Sequence, residues 1–276
     1  MHFVSYQRLQ LDIVAFAATL PPIQGIIGVP RSGSMVAYKM GLHTHLPTAD
    51  LDTYLALGGF PEGGRRLKEQ PDSSLPILLI DDSAWSGRSM LAAIERLETV
   101  LPREQFLTAV LYNHPKCPKG RLDLWCKVIP GRRCFEWNIW NKPSLMTKTL
   151  VDMDGVLCPD PPRERFEEAY VEFITNAPPL YRPQQVQGVV TCRLEKRRPI
   201  TEAWLSQRGL KYGSLTMMQF PTAQARQRKG DLGGWKGEIY AASDALLFVE
   251  SSKIQAERIR EVSKRLVFCV EDMRLA

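Results

Sequence analysis

Residues 77–89, ILLIDDSAWSGRS, and residues 149–158, TLVDMDGVLC, together decide the expected fold. In each stretch a run of aliphatic residues leads into two aspartates, and a turn of small residues follows. Continuous apolar runs are typical of strands buried in parallel sheets, and such sheets place ligand-binding groups where their strands end. We therefore expect two α/β domains, each a mainly parallel sheet flanked by helices and each with its own anion-binding site.

The length and one connecting segment predict the domain organisation. The chain has 276 residues, which suits one or two domains. The segment from Trp140 to Lys148, WNKPSLMTK, is the stretch most typical of a linker. We place the boundary there, which gives domains of residues 1–142 and 143–276.

Composition argues against membrane, secreted and nucleic-acid-binding classes. No apolar segment is long enough to cross a bilayer, and the N-terminal residues lack the apolar core of a secretion signal. Six cysteines at irregular spacing, without a CxxC pair, predict reduced thiols and a cytoplasmic protein. A zinc set of His114, Cys117, Cys126 and Cys134 matches no common ligand spacing.

The net charge of +6 comes from basic residues scattered among acidic ones, without a basic block. Small phosphorylated substrates account for such an excess as well as nucleic acid does. We therefore expect small-molecule partners, no nucleic acid and no membrane, and a homodimer stays an open alternative.

The N-terminal region predicts a helix and then a strand-to-helix turn. Helical spacing of apolar residues runs from Tyr6 to Leu20, with Ser5 as its cap. Residues 26–41, IIGVPRSGSMVAYKMG, then give a short strand, a turn and a second helix. Small residues in that turn let backbone N–H groups approach an anion, although a plain structural turn is an alternative.

The stretch of residues 77–89 favours a sugar phosphate. Asp81 and Asp82 are expected at a strand end, followed by a small polar loop from Ser83 to Ser89 that opens a helix over residues 91–100. Backbone amides and serine hydroxyls of the loop suit a phosphate, while the aspartates suit ribose hydroxyls.

These motifs resemble those of type I phosphoribosyltransferases. Residues 86–89, Ser-Gly-Arg-Ser, are similar to the family's phosphate turn with serines in place of threonines, and residues 28–33, GVPRSG, are similar to its pyrophosphate loop. The resemblance implies that a nitrogen nucleophile displaces pyrophosphate from phosphoribosyl pyrophosphate (PRPP), with Mg²⁺ on the PRPP oxygens. It implies PRPP contacts by Arg31, Ser32, Gly33, Asp81, Asp82, Ser83, Ala84, Trp85, Ser86, Gly87, Arg88 and Ser89.

Two further segments complete this expected site. Residues 52–74, with Arg65 and Arg66, read either as a flap that closes over PRPP or as a plain surface loop. Specificity for the base is expected within residues 127–140, where Phe135, Trp137 and Trp140 offer ring faces and Lys127 a polar contact. Packing is the alternative role for these three rings.

The second acidic stretch favours phosphoryl transfer. Asp152 and Asp154 are two positions apart, so both can face one site where their strand ends, and Gly155 allows the chain to turn. One carboxylate can attack phosphorus while the other protonates the leaving alcohol and later activates water. Mg²⁺ would shield the phosphate from their charge.

This stretch resembles the first motif of the haloacid dehalogenase (HAD) superfamily, D-x-D-G-x-L, and later motifs follow in order. Thr191 ends a predicted strand, Lys236 corresponds to the motif lysine with Lys229 as its rival, and Glu250 stands at the acidic motif without the usual second acid. The resemblance implies Asp152, Asp154, Thr191 and Lys236 as catalytic residues and Asp152, Asp154 and Glu250 as Mg²⁺ ligands. About thirty residues between the first two motifs leave room for one helix, from Glu164, and no large cap.

The two resemblances together predict a bifunctional enzyme. A phosphoribosyl transfer yields a nucleotide, and a phosphatase could then convert it to a nucleoside-like product, with tethering raising the local concentration of the second site. Two alternatives stay open. The two activities are uncoupled, or the chain senses PRPP or nucleotides through a first domain joined to a degenerate HAD domain.

Overall fold

The computed structural model describes residues 1–61, 72–162 and 167–276. The chain divides into two compact units, Met1–Cys134 (unit 1) and Phe135–Ala276 (unit 2). The division therefore falls between residues 134 and 135, whereas the sequence favours 142 and 143. The segment expected as a linker contains a 3₁₀ helix, Glu136–Asn141, and a short α-helix, Pro143–Met146, in whose first turn a proline is well tolerated.

Unit 1 alternates strands and helices along most of its length. Its last strand crosses into the first residue of unit 2. The elements are β1 His2–Val4, α1 Tyr6–Ala17, β2 Gly25–Gly28, α2 Ser32–Thr44, β3 Thr48–Asp50, α3 Leu51–Leu57, β4 Ile77–Ala84, α4 Arg88–Leu97, β5 Phe106–Asn113, β6 Leu124–Val128 and β7 Arg133–Phe135, with a 3₁₀ helix at Arg103–Gln105.

The main sheet of unit 1 has five strands in the order β3-β2-β4-β5-β6, all parallel. Its central strand β4 is buried along nearly all its length, which explains the continuous aliphatic run in the sequence. The predicted first helix forms as α1, capped by the Ser5 side chain, which accepts a hydrogen bond from Arg8 N at 3.1 Å. A core of aliphatic residues from the sheet and α4 fills one face.

Unit 2 is built in the same alternating way. Its elements are α5 Pro143–Met146, β8 Thr149–Val151, α6 Glu167–Asn176, β9 Gln185–Leu194, α7 Arg198–Gln207, β10 Lys211–Met218, α8 Ala223–Lys229, α9 Leu232–Ala242, β11 Leu247–Glu250, α10 Lys253–Ser263, β12 Val267–Cys269 and β13 Arg274–Leu275, with 3₁₀ helices at Glu136–Asn141 and Glu195–Arg197.

The sheet of unit 2 has six strands in the order β10-β9-β8-β11-β12-β13. All neighbouring pairs are parallel except β12 and β13. The short strand β8 lies at its centre, so the residues that follow β8 emerge at the carboxyl edge of the sheet, flanked by the ends of β9 and β11. Both units are therefore α/β layers of mainly parallel strands flanked by helices.

Several expectations fall on segments outside the described residues. Arg65 and Arg66 of the expected flap lie in residues 62–71, and the start of the expected helix from Glu164 lies in residues 163–166. Within the described ranges, no helix combines the length and apolar character needed to cross a membrane. All six cysteines are free.

Candidate functional site

In unit 1, the turn after β2 packs directly on β4. Val29 N donates to Ile80 O at 2.9 Å, and the peptide bond between Pro30 and Arg31 is cis. A Cβ on Gly33 would lie 2.7 Å from Ile80 O and 2.9 Å from the Asp81 Cα, so only glycine allows this close approach. The two stretches that carry the phosphoribosyltransferase resemblance therefore meet at Asp81.

The adjacent acids lie inside β4 rather than at its end. Asp81 and Asp82 are buried, and the strand continues to Ala84 by pairing Ser83 with Tyr112 of β5. The loop predicted to begin at Ser83 therefore begins after Ala84. Burial, followed by repulsion from Asp82, raises the pKa of Asp81 well above its usual range, although Asp82 N donates to Asp81 Oδ1 at 2.7 Å.

A cavity of about 210 Å³ lies at this end of β4. It brings together Asp81 and all seven predicted loop residues from Ser83 to Ser89, and α4 begins within its wall at Arg88. A helix N-terminus and its backbone amides favour anions. The wall of the cavity therefore combines the Asp81 carboxylate with an anion-binding element. The lining does not include Asp82, Arg31, Ser32 or Gly33.

Arg133 also lines this cavity, and sequence reasoning missed it although it stands within the segment expected to read the base. It is buried, its Nη1 donates to Tyr112 O at 3.1 Å, and its guanidinium carbon lies 5.5 Å from the Trp85 ring centroid. Burial lowers the pKa of Arg133, while the charges of Asp82 and Asp81 act in the opposite direction. Arg133 therefore supplies positive charge to the aspartate pair.

The residues predicted to bind the base are not brought to this cavity. Lys127 Nζ pairs with Asp12 Oδ1 at 2.5 Å, and Asp12 also accepts from Tyr112 OH at 2.9 Å, which ties α1 to the sheet. Phe135 and Trp137 belong to unit 2 and stack on each other with centroids 4.9 Å apart. Lys127 is thus paired with an acid of α1, and the two rings are stacked on each other.

Trp140, the third aromatic residue of that segment, also packs within unit 2. Its ring stacks on Tyr181 with centroids 4.3 Å apart. By contrast, Trp85 of the predicted phosphate loop lines the unit 1 cavity and stacks on His114 with centroids 3.7 Å apart.

In unit 2, a buried lysine joins two of the predicted acids. Lys236 Nζ donates to Asp152 Oδ2 at 2.7 Å and to Glu250 Oε2 at 2.6 Å, and all three side chains are almost fully buried. Burial, then the charge of Glu250, raises the pKa of Asp152. Burial opposes the charged form of Lys236, but the two carboxylates outweigh it and raise the lysine pKa. The side chain of the rival Lys229 lies outside the described part of the structure.

Asp154 has a different partner, which sequence reasoning missed. Arg193 Nε contacts both carboxylate oxygens of Asp154 at 3.1 Å, and its Nη2 lies 2.5 Å from Oδ1. Arg193 is fully buried, whereas 19% of the Asp154 side chain is exposed. The signal in the sequence is only that an arginine follows Thr191 by two positions, so alternation along a strand places both on one face.

Thr191 lies inside a strand, whereas the sequence predicts that the strand ends at this residue. It is fully buried inside β9, which continues to Leu194, and its Oγ1 accepts a hydrogen bond from Arg193 N at 3.2 Å. Its neighbour Cys192 points to the opposite side of the strand and lines the cavity. Burial raises the pKa of Cys192 to about 12.

The unit 2 cavity has a volume of about 560 Å³ and lies where β8 and β11 end. Asp152, Asp154 and Lys236 line it, together with Asp160, Arg226 and Glu271. Gly155 turns the chain here with φ +76°, and a Cβ on it would lie 2.4 Å from the Ser251 Cβ. Glycine is therefore required at this position for two reasons, its positive φ and the lack of room for a Cβ.

Both acidic sites suit a hard cation such as Mg²⁺. In unit 2, three carboxylates share two cations, and burial, followed by the charge of neighbouring acids, raises the pKa values of Asp152 and Asp160. Asp152, Asp154 and Glu250 are nevertheless not within 4.8 Å of one another as a three-ligand group. In the part of the chain that the structure describes, only Cys269, Glu271 and Asp272 meet that criterion.

Comparisons with known proteins were made for the whole chain. No protein-family model matches it, and no curated protein matches it. The xanthine-guanine-hypoxanthine phosphoribosyltransferase of Helicobacter pylori is similar in structure, with a TM-score of 0.38 and 20% identity over 50% of this chain and 93% of that chain. The purine phosphoribosyltransferase of Pyrococcus horikoshii has a TM-score of 0.35 and 20% identity over 49% of this chain and 92% of that chain.

The orotate phosphoribosyltransferase of Aeropyrum pernix is similar at a TM-score of 0.29 and 16% identity, over 45% of this chain and 70% of that chain. These similarities extend over about half of this chain and stay below a TM-score of 0.5. Function therefore has to be inferred from the residues of the two units themselves.

Proposed function

We propose that the chain is a bifunctional enzyme. Unit 1 transfers the phosphoribosyl group of PRPP to a nitrogen heterocycle and releases pyrophosphate, and unit 2 removes the phosphate of the resulting nucleotide. The observation that carries this proposal is that each unit has a cavity at the carboxyl end of its parallel sheet, lined by an aspartate from a central strand and by cationic or anion-binding groups. The cysteine pattern favours the cytoplasm as the place of the reaction.

In unit 1, the division of labour follows from the residue types. Backbone amides at the start of α4, with the hydroxyls of Ser86 and Ser89, bind the 5′-phosphate of PRPP. Asp81, which lines the cavity, accepts hydrogen bonds from the ribose hydroxyls, and Arg133 limits its repulsion from the neighbouring Asp82. The turn with Arg31, Ser32 and Gly33 is the place for the pyrophosphate.

In unit 2, Asp152 is the nucleophile. One of its carboxylate oxygens forms a bond to phosphorus, the bond between phosphorus and the 5′-oxygen breaks, and Asp154 gives its proton to that oxygen. The nucleoside leaves with that proton. Water then attacks phosphorus, the bond between phosphorus and the Asp152 oxygen breaks, and a proton of the water returns to Asp154, which releases inorganic phosphate and restores the Asp152 carboxylate. Lys236 holds the attacking carboxylate in place through its contact at 2.7 Å.

Mg²⁺ completes both sites when it is bound. In unit 2, Asp152 lines the cavity and would hold it, whereas Asp154 is engaged by Arg193 and both carboxylate oxygens of Glu250 accept hydrogen bonds. In unit 1 the resemblance to phosphoribosyltransferases implies that oxygens of PRPP would hold it. The ion neutralises the charge of phosphate and pyrophosphate groups as bonds to phosphorus or to the anomeric carbon change.

Joining the two units links their reactions. The nucleotide made by unit 1 is a phosphate monoester, which is the substrate class of unit 2, and tethering raises its local concentration near the second site. Removing the nucleotide also draws a reversible transfer forward.

The test is product analysis with PRPP, Mg²⁺ and a panel of nitrogen heterocycles. Wild type should release a nucleoside, whereas Asp152→Asn should accumulate the nucleotide, because it lacks the nucleophile. Exposed Asp244→Asn is the matched control and should behave as wild type. Absence of phosphate release from every nucleotide by wild type would rule out the second step.

One observation favours a second candidate, a sensor of PRPP or nucleotides. Glu250 Oε1 accepts from Ser251 N and Ser252 N at 3.0 and 3.1 Å, and Lys236 occupies Oε2, so hydrogen bonds engage both oxygens of the lone acid. Tight PRPP binding without turnover at either site would select the sensor. Turnover of an unrelated phosphate ester, with no activity on nucleotides, would instead select two uncoupled activities.

A further inference from the structure

The cationic side chains at the cavity of unit 2 differ in whether they form ion pairs with carboxylates. Lys236 is held by Asp152 and Glu250 at 2.7 and 2.6 Å. Arg193, behind the cavity wall, is held by Asp154 through both carboxylate oxygens. These two cations already offset buried carboxylates, so neither brings surplus positive charge to an incoming phosphate.

Arg226 lines the same cavity, and in the described part of the chain its guanidinium forms no ion pair with a carboxylate. It lies on α8, and its Nη1 donates to Cys192 O at 2.8 Å, which fixes the guanidinium beside the residue that follows Thr191. Its Nε is buried and has no hydrogen-bond acceptor. Among the described residues, no carboxylate lies within ion-pair distance of Arg226.

The chemistry of the guanidinium edge that carries Nε indicates the missing partner. Nε and Nη2 lie on one edge and form the fork that matches two oxygens of a phosphate, while Nη1 is used by the backbone. A buried donor without an acceptor is destabilising, and a bound oxyanion relieves this cost. The lining also contains four carboxylates, Asp152, Asp154, Asp160 and Glu271, which repel a phosphate, and its other cation, Lys236, is already paired with Asp152 and Glu250.

We propose that Arg226 binds the phosphoryl group of the substrate in unit 2, through its Nε edge. This inference rests on the proposed phosphatase function and adds a binding residue that none of the sequence motifs contains. It also explains how a site with a single acidic metal ligand in its last motif can still hold a doubly charged anion.

The test is calorimetric titration of inorganic phosphate, in buffer with Mg²⁺, into the full chain. Arg226→Gln should weaken binding about tenfold or more, which corresponds to the loss of a charge-assisted hydrogen bond. Arg226→Lys keeps the charge but not the fork and should fall between Arg226→Gln and wild type. Arg228→Gln removes the same charge from an exposed position on the same helix and should change binding by roughly twofold or less.

The outcomes separate this inference from the proposed reaction, because phosphate binding needs no turnover. If wild type hydrolyses no nucleotide but Arg226→Gln loses phosphate binding, the phosphatase proposal falls and the role of Arg226 stands. Equal binding by Arg226→Gln and Arg228→Gln overturns the inference, even when nucleotides are hydrolysed. Wild type that binds no phosphate overturns it as well. Thermal midpoints identify a variant that fails to fold, and Arg226→Lys then decides.

Discussion

At the scale of single residues, the ion pair of Asp154 and Arg193 links the proposed acid of unit 2 to the stability of the fold. Arg193 is a fully buried guanidinium whose charge is balanced by one carboxylate, and that carboxylate faces the cavity. Burial opposes the charged form of Arg193, but the contact with Asp154 outweighs it and raises the arginine pKa. A charge buried in this way stabilises the fold only while its partner remains.

We expect Arg193→Met to lower the free energy of unfolding by about 3 kcal/mol, because it leaves the Asp154 carboxylate without its partner. Denaturant unfolding of the full chain measures the loss. Asp154→Asn combined with Arg193→Met should recover part of it, since no uncompensated charge remains. Arg258→Met breaks an exposed ion-pair network and should cost much less. Equal losses for the two single variants would contradict the account.

At the scale of elements, the turn after β8 depends on one glycine. Gly155 has φ +76°, and a Cβ on it would lie 2.4 Å from the Ser251 Cβ and 2.8 Å from Asp160 Oδ2. The turn thereby keeps Asp154 beside the end of β11. Gly209 has a similar φ of +67° but no atom within 4 Å of its would-be Cβ.

We expect Gly209→Ala to cost about 1 kcal/mol through backbone conformation alone. Gly155→Ala should cost about 1–3 kcal/mol more, because overpacking adds to the same backbone penalty. The thermal unfolding midpoints of the two variants measure this difference. If both variants lose the same stability, the close contact between the two turns is not what requires glycine.

The elements also separate what the sequence could predict from what it could not. The aliphatic runs before Asp81 and Asp152 predict β4 and β8, because a strand buried on both faces needs apolar residues throughout. The predicted end of β4 was two residues too early, because Ser83 and Ala84 still pair with β5 and such pairing cannot be predicted from local composition. The linker expected at residues 140–148 instead contains the end of a 3₁₀ helix and a short α-helix.

The candidate sites were predictable only where a motif is local. Asp81 and the loop of residues 83–89 belong to one local motif and share one cavity. Asp152 and Lys236 come from two such motifs and are hydrogen-bonded. Arg133, Arg193 and Arg226 stand outside any motif, and only the folded chain brings them to the acids. Lys127 looked available in the sequence, but Asp12, far away along the chain, takes its charge.

At the scale of the whole molecule, each of the two units has its own candidate site. Unit 1 offers one buried acid pair with Arg133 beside it, and unit 2 offers acids held by Lys236 and Arg193. The proposed sequence of reactions needs both sites, and each has to bind its own phosphorylated ligand. A change in one acidic site should therefore leave the ligand of the other site unaffected.

Calorimetric titration of PRPP with Mg²⁺ into wild type, Asp81→Asn and Asp152→Asn tests this claim most directly. We expect wild type and Asp152→Asn to bind PRPP equally, and Asp81→Asn to bind it about tenfold more weakly, because a carboxylate that accepts ribose hydrogen bonds is lost. Binding that is the same in all three proteins, or that is lost in Asp152→Asn instead, would contradict the account.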